Sequence, residues 1–197
     1  NLKKISNSLK QEQKKYKIFL AGGDTVLSNK LSFTITSIGF SKKIVFRNKA
    51  KLNDDIYVTG NLGDSYTGLK ILRKDFYTNQ SLKKYFVSRY YLPNLQLVLT
   101  DNLFSFANTS IDISDGLLID LEKLINKQKL TYKLFLDKIP ISNNLKELIR
   151  LKNLKKQNYI SKGDDYQILF TAKSSKLRII NKISKSLGIK ISKIGKI

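Results

Sequence analysis

Apolar residues recur along the chain with two different periods. In some stretches they return every three or four residues, as Leu2, Ile5 and Leu9 do, which is typical of a helix with one buried face. In other stretches they alternate with polar residues or form short runs rich in β-branched side chains, which is typical of strands. The helical pattern predicts helices at 2–16, within 60–74, and at 94–107, 117–125, 143–155 and 177–187.

The strand pattern falls between these helices. It predicts strands at 16–24, 31–40, 54–60, 109–113, 132–140, 164–172 and 188–197. Helices and strands thus alternate, and neither a repeat nor a low-complexity linker separates them. This organisation predicts a layered α/β or α+β fold. A composition shift near residues 47–55 is the one indication of a domain boundary.

The composition removes several classes of chemistry. Among 197 residues there is no Cys and no His, so disulfides, thiolate metal sites and histidine-based catalysis are excluded. Any reaction must depend on Asp, Glu, Lys, Arg, Tyr, Ser or backbone groups. No apolar run approaches the roughly 18 residues of a membrane span, and the first residues do not resemble a signal peptide. A cytoplasmic protein without a membrane partner is therefore predicted.

The net charge of +22 raises the alternative of a basic nucleic-acid-binding module. Only five of the 37 basic residues are Arg, and Lys, Asn and Ile together supply 71 residues. These three amino acids share A/T-rich codons, and the lysines are scattered along the whole chain. Composition bias therefore explains the charge, and a nucleic-acid partner is not expected. Steeply salt-dependent DNA binding would favour the alternative.

Three segments place carboxylates beside glycine where an apolar run ends. They are called here the GGDT turn (22–25), the DISDG turn (112–116) and the KGDDYQ turn (162–167). Each alone is an ordinary turn or helix cap, because Asp and Gly favour both. Together they also fit a magnesium site, since Mg²⁺ takes carboxylate oxygens together with phosphates and waters. Backbone N–H groups at the start of the helix after the DISDG turn are expected to be available to a phosphate oxygen.

Two familiar nucleotide-binding loops are not found. The chain has no Walker A pattern, so it is not a P-loop enzyme. Gly60 and Gly63 lie in "VTGNLGDS" (58–65), but the third glycine of a dinucleotide fingerprint is missing. The segment is interpreted as a strand-to-helix turn, with Asp64 or Ser65 placed to cap the helix.

Four segments, in this order and spacing, carry a family resemblance. They are "GGDT" (22–25), "RNKAKLNDDIYVTGNLGDSYTGL" (47–69), "SIDISDGLLIDL" (110–121) and "GDDYQILFT" (163–171). They resemble thiamine-monophosphate kinase, of the aminoimidazole ribonucleotide synthetase superfamily. The resemblance implies transfer of the γ-phosphoryl group of ATP to thiamine monophosphate, giving thiamine diphosphate, with Mg²⁺ as cofactor. It also implies a homodimer and a two-domain fold, with residues 1–52 ending the N-terminal ATP-binding domain and 53–197 forming most of the C-terminal α/β domain.

The resemblance also implies roles for individual residues, although it assigns no catalytic residue. The implied magnesium ligands are Asp24, Asp112 and Asp115. The implied ATP contacts are Gly23, Asp24, Arg47 and Ser114. Asp164 falls where the family usually has Glu in "GGEDYE", near the thiamine phosphate. Here the motif reads "KGDDYQ", and the shorter Asp164, together with Lys162 and Gln167, departs from the family at the substrate contact.

The family has a region before residue 1, with an acidic magnesium-binding loop, and a short end after residue 197. The chain begins at Asn1 and contains no Met, which indicates part of a longer protein. These 197 residues alone are therefore expected to show little or no turnover. The alternatives left open are a related ATP-dependent synthetase of the superfamily, an inactive remnant and the basic binding module.

Overall fold

The computed structural model describes residues 2–197, which fall into two compact units, one ending at Phe40 and the other formed by residues 41–197. The first unit contains one helix, α1 (Leu2–Tyr16), as its helical spacing predicted. None of its side chains is buried.

The two strands predicted in the first unit, at 16–24 and 31–40, are not formed. Residues 18–40 contain neither helix nor strand, and apolar side chains such as Leu27, Phe33 and Phe40 are exposed there. A strand persists only where its backbone N–H and C=O groups pair with a neighbouring strand. Within the described part of this unit no other strand offers that pairing, so the alternating pattern alone does not produce a strand.

The second unit contains seven helices and five strands among its residues. The helices are α2 (Asp64–Leu72), α3 (Gln80–Tyr91), α4 (Leu97–Leu103), α5 (Leu117–Ile125), α6 (Asn143–Lys152), α7 (Gln157–Ile160) and α8 (Leu177–Leu187). The strands are β1 (Asp55–Thr59), β2 (Thr109–Asp112), β3 (Lys133–Leu134), β4 (Ile168–Ala172) and β5 (Ile191–Lys196). Helices α3 and α7 were not predicted from the apolar pattern.

The five strands form one antiparallel sheet in the order β2-β4-β1-β5-β3. Central strand β1 is buried at all five positions, including the polar residues Asp55 and Thr59 at its ends. The predicted mixed helix-and-sheet fold is confirmed, with the antiparallel pairing of an α+β arrangement.

The sheet separates two apolar cores. Ile56 and Val58 of β1 belong to the larger core, which is shared with α2, α3, α5 and α6. Tyr57 lies between them in sequence and points to the other face, where α4 and α8 supply Leu99 and Ile180. Alternate residues of a strand face opposite sides, so β1 contributes to both cores and the unit has three layers.

The registers place four loops at one edge of the sheet. Asp112 at the end of β2 pairs with Ile168 at the start of β4, and Thr59 at the end of β1 pairs with Ile191 at the start of β5. The segments that follow β1 and β2 and those that precede β4 and β5 therefore meet at this edge. Both the DISDG turn and the KGDDYQ turn are among them.

Several predicted elements differ at their ends. The strand predicted at 164–172 begins only at Ile168, because residues 164–167 form a turn. The strand predicted at 132–140 is reduced to β3, followed by a 3₁₀ turn at Leu136–Lys138. Gly63 caps α2 in place of the expected Asp64 or Ser65 and makes no side-chain cap. The division at residues 52/53 stays a prediction.

Over residues 2–197, none of the helices combines the length and the apolar character that crossing a membrane requires.

Replacement of Phe170 by Ala should test the second core. Phe170 is fully buried, stacks on Tyr57 with ring centroids 5.2 Å apart and packs against Phe106. Loss of a buried aromatic side chain leaves a cavity, so we expect the free energy of unfolding to fall by about 3–5 kcal/mol in urea titrations. Phe104→Ala removes an exposed ring and should change it by less than about 0.5 kcal/mol. Equal losses in the two variants would contradict this packing.

Candidate functional site

The DISDG turn and the KGDDYQ turn are joined by backbone hydrogen bonds. Ile113 N–H donates to the carbonyl oxygen of Gln167 at 2.8 Å, and Tyr166 N–H donates to that of Ile113 at 2.8 Å. Asp164 N–H donates to the carbonyl oxygen of Ser114 at 2.9 Å. The pairing of β2 with β4 thus continues past the ends of both strands and brings two of the three predicted acidic turns together.

Two glycines allow this close approach. A Cβ atom on Gly163 would overlap the carbonyl oxygen of Ser114, and one on Gly116 would overlap that of Ser161. Gly116 also has φ +127°, a conformation that other residues rarely adopt. Both glycines are therefore required by the contact between the turns.

The carboxylates carried by these turns share one region around Tyr166. Asp112 and Asp115 are exposed, Asp164 is half-buried, and Ser114 lies partly exposed between the first two. Burial, followed by the negative charges of Asp164, Asp112 and Asp115, raises the pKa of Tyr166. The predicted residues Asp112, Ser114, Asp115 and Asp164 therefore lie at one site.

Asp120 organises the DISDG turn and was not predicted. It is only 1% exposed, and its carboxylate accepts hydrogen bonds from the backbone N–H groups of Asp115 at 2.9 Å and Gly116 at 3.0 Å. The expectation that backbone N–H groups at this helix start are available to a phosphate is wrong for these two residues. The pattern "SDGLLID" contained the clue, since an acid one turn into a helix can satisfy donors at its start.

Lys123 also contacts this turn. Its ammonium group forms ion pairs with Asp115 and, at 3.2 Å, with Asp120. The hydrogen bond to Asp115 is the main reason that the pKa of Lys123 is raised. A cation bound at Asp115 would have to compete with this lysine.

Two buried side chains of the KGDDYQ turn bind distant segments, and one of them, Asp165, binds a third loop, residues 60–65. The carboxylate of Asp165 accepts hydrogen bonds from Gly63 N–H at 2.7 Å and Ser65 N–H at 3.3 Å. Gln167 accepts from the Thr59 hydroxyl at 2.9 Å and donates to the Asn94 carbonyl oxygen at 2.9 Å. Burial raises the pKa of Asp165 to about 7, although the two N–H groups lower it. The roles of Asp165 and Gln167 were not predicted, because their hydrogen-bond partners are distant in the sequence.

Two openings lie beside this loop. A cavity of about 90 Å³ is lined by Asp64, Ser65, Arg89, Asp165 and Gln167 among other residues. A wider cleft of about 350 Å³ shares Asn61 and Tyr85 with it and is lined mainly by polar side chains, including Lys146 and Lys190. The edge of the sheet that carries the acidic turns therefore also has space for a polar ligand.

The remaining predicted residues belong to other segments of the chain. Gly23 and Asp24 belong to the first unit, where Asp24 is exposed and accepts a hydrogen bond from Thr25 N–H at 2.7 Å. Arg47 is exposed, and its chain neighbours are bonded to Thr109, at the start of β2, and to Leu124, near the end of α5. Its backbone therefore lies at the opposite end of β2 from Asp112.

The carboxylate oxygens of the DISDG turn are ligands of the type that Mg²⁺ prefers. In the part of the chain that the structure describes, no group of three or more carboxylates is arranged to hold a metal ion. Magnesium usually binds through one or two carboxylates and completes its shell with phosphate oxygens and waters. Asp112 and Asp115 supply two exposed carboxylates of this kind.

The chain was compared with known proteins. No protein-family model matches it. The thiamine-monophosphate kinase of Buchnera aphidicola subsp. Acyrthosiphon pisum is 37% identical over 191 residues, which are 92% of this chain and 57% of the relative. That of Buchnera aphidicola subsp. Schizaphis graminum is 36% identical over 98% of this chain and 60% of the relative. The chain thus spans about three fifths of these curated relatives.

Solved structures give the same grouping. The thiamine-monophosphate kinase from Stenotrophomonas maltophilia K279a aligns with a TM-score of 0.70 and 28% identity, over 79% of this chain and 50% of that chain. AaThiL complexed with AMPPCP and TMP aligns with a TM-score of 0.69 and 27% identity, over 79% and 48%. HypE of Escherichia coli, a hydrogenase maturation protein, shares the fold alone, with a TM-score of 0.54 and 13% identity over 78% and 46%.

The second unit therefore has the fold of the aminoimidazole ribonucleotide synthetase-like superfamily. Within that class, the chain is homologous to the thiamine-monophosphate kinases, and the resemblance that its motifs indicated is confirmed.

Replacement of Asp120 by Ala should loosen the DISDG turn. The backbone N–H groups of Asp115 and Gly116 would lose their acceptor, so we expect a loss of about 1–3 kcal/mol in the free energy of unfolding. Glu147→Ala, which removes an exposed carboxylate from α6, should cost less than about 0.5 kcal/mol. A D120A variant as stable as the unmodified protein would contradict the role of Asp120.

The pKa of Asp165 predicts a pH dependence of stability. Between its ordinary value near 4 and about 7, the folded protein holds a proton on Asp165 that the unfolded chain releases. The free energy of unfolding should therefore fall as pH rises from 4 to 7, by as much as about 4 kcal/mol from this group.

Urea titrations across this range measure the effect. The chain has no His, so no histidine titration overlaps this window. Asp165→Asn cannot ionise, and its stability should vary less steeply between pH 4 and 7. The same slope in both proteins would refute the assignment.

Proposed function

We propose that this chain forms part of an enzyme that transfers the γ-phosphoryl group of ATP to thiamine monophosphate, giving thiamine diphosphate. The observation that carries the proposal is the 37% identity to a thiamine-monophosphate kinase over 92% of the chain. AaThiL, whose structure holds the ATP analogue AMPPCP together with TMP, supports ATP and thiamine monophosphate as the substrates.

The joined turns suit such a reaction chemically. Asp112 and Asp115 would hold Mg²⁺ through their carboxylate oxygens, and Ser114 between them would contact ATP. Bound magnesium offsets negative charge on the phosphate groups. The turns themselves provide a fixed position for these side chains, because their backbones are bonded to each other. Positioning and electrostatic stabilisation are the main contributions a protein makes to phosphoryl transfer.

Asp164 is proposed to contact thiamine monophosphate. It projects from the same pair of turns and lies close enough to Tyr166 to influence its hydroxyl. Gly23 and Asp24 in the first unit and Arg47 in the second stay predicted ATP contacts, and Asp24 stays a predicted magnesium ligand. The homodimer and the cytoplasmic location also stay predictions.

The direct test is an assay of the protein, produced from its complete gene, with ATP, Mg²⁺ and thiamine monophosphate. We expect thiamine diphosphate to form, and we expect Asp115→Asn to lower the rate by at least about 100-fold. This expectation follows because even outer partners of metal ligands typically contribute 10- to 100-fold. Product is measured by chromatography.

Asp101→Asn is the matched control, since it makes the same change at an exposed position on α4. It should keep the unmodified rate. Absence of thiamine diphosphate with the unmodified protein would refute the function. Full activity of D115N would refute only the role of Asp115.

A further inference from the structure

The KGDDYQ turn holds two residues in an unfavourable backbone conformation. Asp164 has φ +66° and Tyr166 has φ +50°, and neither is glycine. Left-handed conformations of this kind are disfavoured for residues with a Cβ atom and persist only when surrounding contacts impose them. The residue between them, Asp165, is the one whose side chain makes the buried contacts.

The turn is held on two sides. On one side the N–H groups of Asp164 and Tyr166 donate to the carbonyl oxygens of Ser114 and Ile113 in the DISDG turn. On the other side the carboxylate of Asp165 accepts from Gly63 N–H at 2.7 Å and Ser65 N–H at 3.3 Å. The backbone of the KGDDYQ turn thus binds the DISDG turn, and the Asp165 side chain binds the loop of residues 60–65.

The carboxylate of Asp165 is a suitable acceptor for the N–H groups of Gly63 and Ser65. Gly63 and Ser65 flank the first residue of α2, where helix N–H groups have no partner within the helix and the dipole favours negative charge. A side chain only 4% exposed needs such partners, since a buried polar group without hydrogen bonds is strongly unfavourable. Position 63 itself requires glycine, because its φ is +89° and Tyr159 lies close to where a Cβ atom would be.

We propose that Asp165 is a positioning residue: its hydrogen bonds to Gly63 and Ser65, called here the Asp165 bridge, hold the KGDDYQ turn so that Asp164 and Tyr166 face the DISDG turn. Asp165 itself touches no reacting group. The part of the proposal that concerns thiamine monophosphate rests on the proposed function, and the part that concerns the turn does not.

Hydrogen exchange tests the bridge without any activity. In Asp165→Asn, the side-chain amide can still accept one N–H group, but its NH₂ group cannot accept the other. We expect the backbone amides of Asp164 and Tyr166 to exchange at least about tenfold faster, because their hydrogen bonds open with the turn. The measurement is amide exchange followed by NMR in the 197-residue chain at about pH 8, above the pKa of about 7 of Asp165, where its carboxylate is ionised.

Asp54→Asn is the matched control. Asp54 is a similarly buried carboxylate just before β1, and it accepts from Lys51 N–H, the Asn108 amide and the Thr171 hydroxyl, all outside the KGDDYQ turn. D54N should leave exchange at Asp164 and Tyr166 within about twofold of the unmodified chain. Unchanged exchange in D165N, or an equal increase in D54N, would overturn the proposal, since the effect would then reflect general loss of stability.

Kinetics of the protein from its complete gene test the consequence for the substrate. D165N should raise the KM for thiamine monophosphate by about tenfold or more, while the KM for ATP stays within about twofold, because Asp164 is displaced. Equal changes in both constants would contradict the positioning role. If the unmodified protein forms no thiamine diphosphate, the proposed function fails, and the exchange measurement alone decides on the bridge.

Discussion

The structure of the site depends on the pairing of β2 with β4 continuing beyond both strands. Ile113 exchanges hydrogen bonds with Tyr166 and Gln167 where the sheet itself has ended. This extension holds together two turns that are about 50 residues apart in the sequence. It succeeds only because glycine occupies positions 116 and 163, where any Cβ atom would overlap the opposite backbone. Without this contact the carboxylates of the two turns would not share one site.

Buried carboxylates organise the exposed ones. Asp120 binds the backbone beneath Asp115, and Asp165 binds the loop behind Asp164. In each pair the more accessible acid is the one to which the family resemblance assigns a ligand, while its buried neighbour makes hydrogen bonds to the backbone inside the protein. A buried carboxylate is stable only with such donors, so these hydrogen bonds fix its position. They thereby also fix the backbone that carries the more accessible acid.

Much of the fold could be predicted where the apolar pattern and the packing agree. The strand β1, the helical face of α5 and the order of the elements after residue 54, apart from α3 and α7, followed from local patterns. Helix α3 was missed because only Leu82 and Phe86 are buried in its twelve residues, which is too sparse a pattern to recognise. The segment 164–167 was predicted as strand because it directly precedes the apolar run of β4. Its composition does not reveal the left-handed backbone at Asp164 and Tyr166.

The sequence by itself determined the class of protein and predicted which residues would carry its chemistry. The motifs in the DISDG and KGDDYQ turns made Asp112, Ser114, Asp115 and Asp164 the candidate site residues, because carboxylates and the glycines beside them are local features of a sequence. Only the tertiary structure decided which turns meet and which buried acids hold them. Asp165 reaches Gly63 across about 100 residues, and Arg47 is anchored at the far end of β2. The physical reason is that such contacts arise from strand register and close packing, which depend on the whole sheet and not on any one segment.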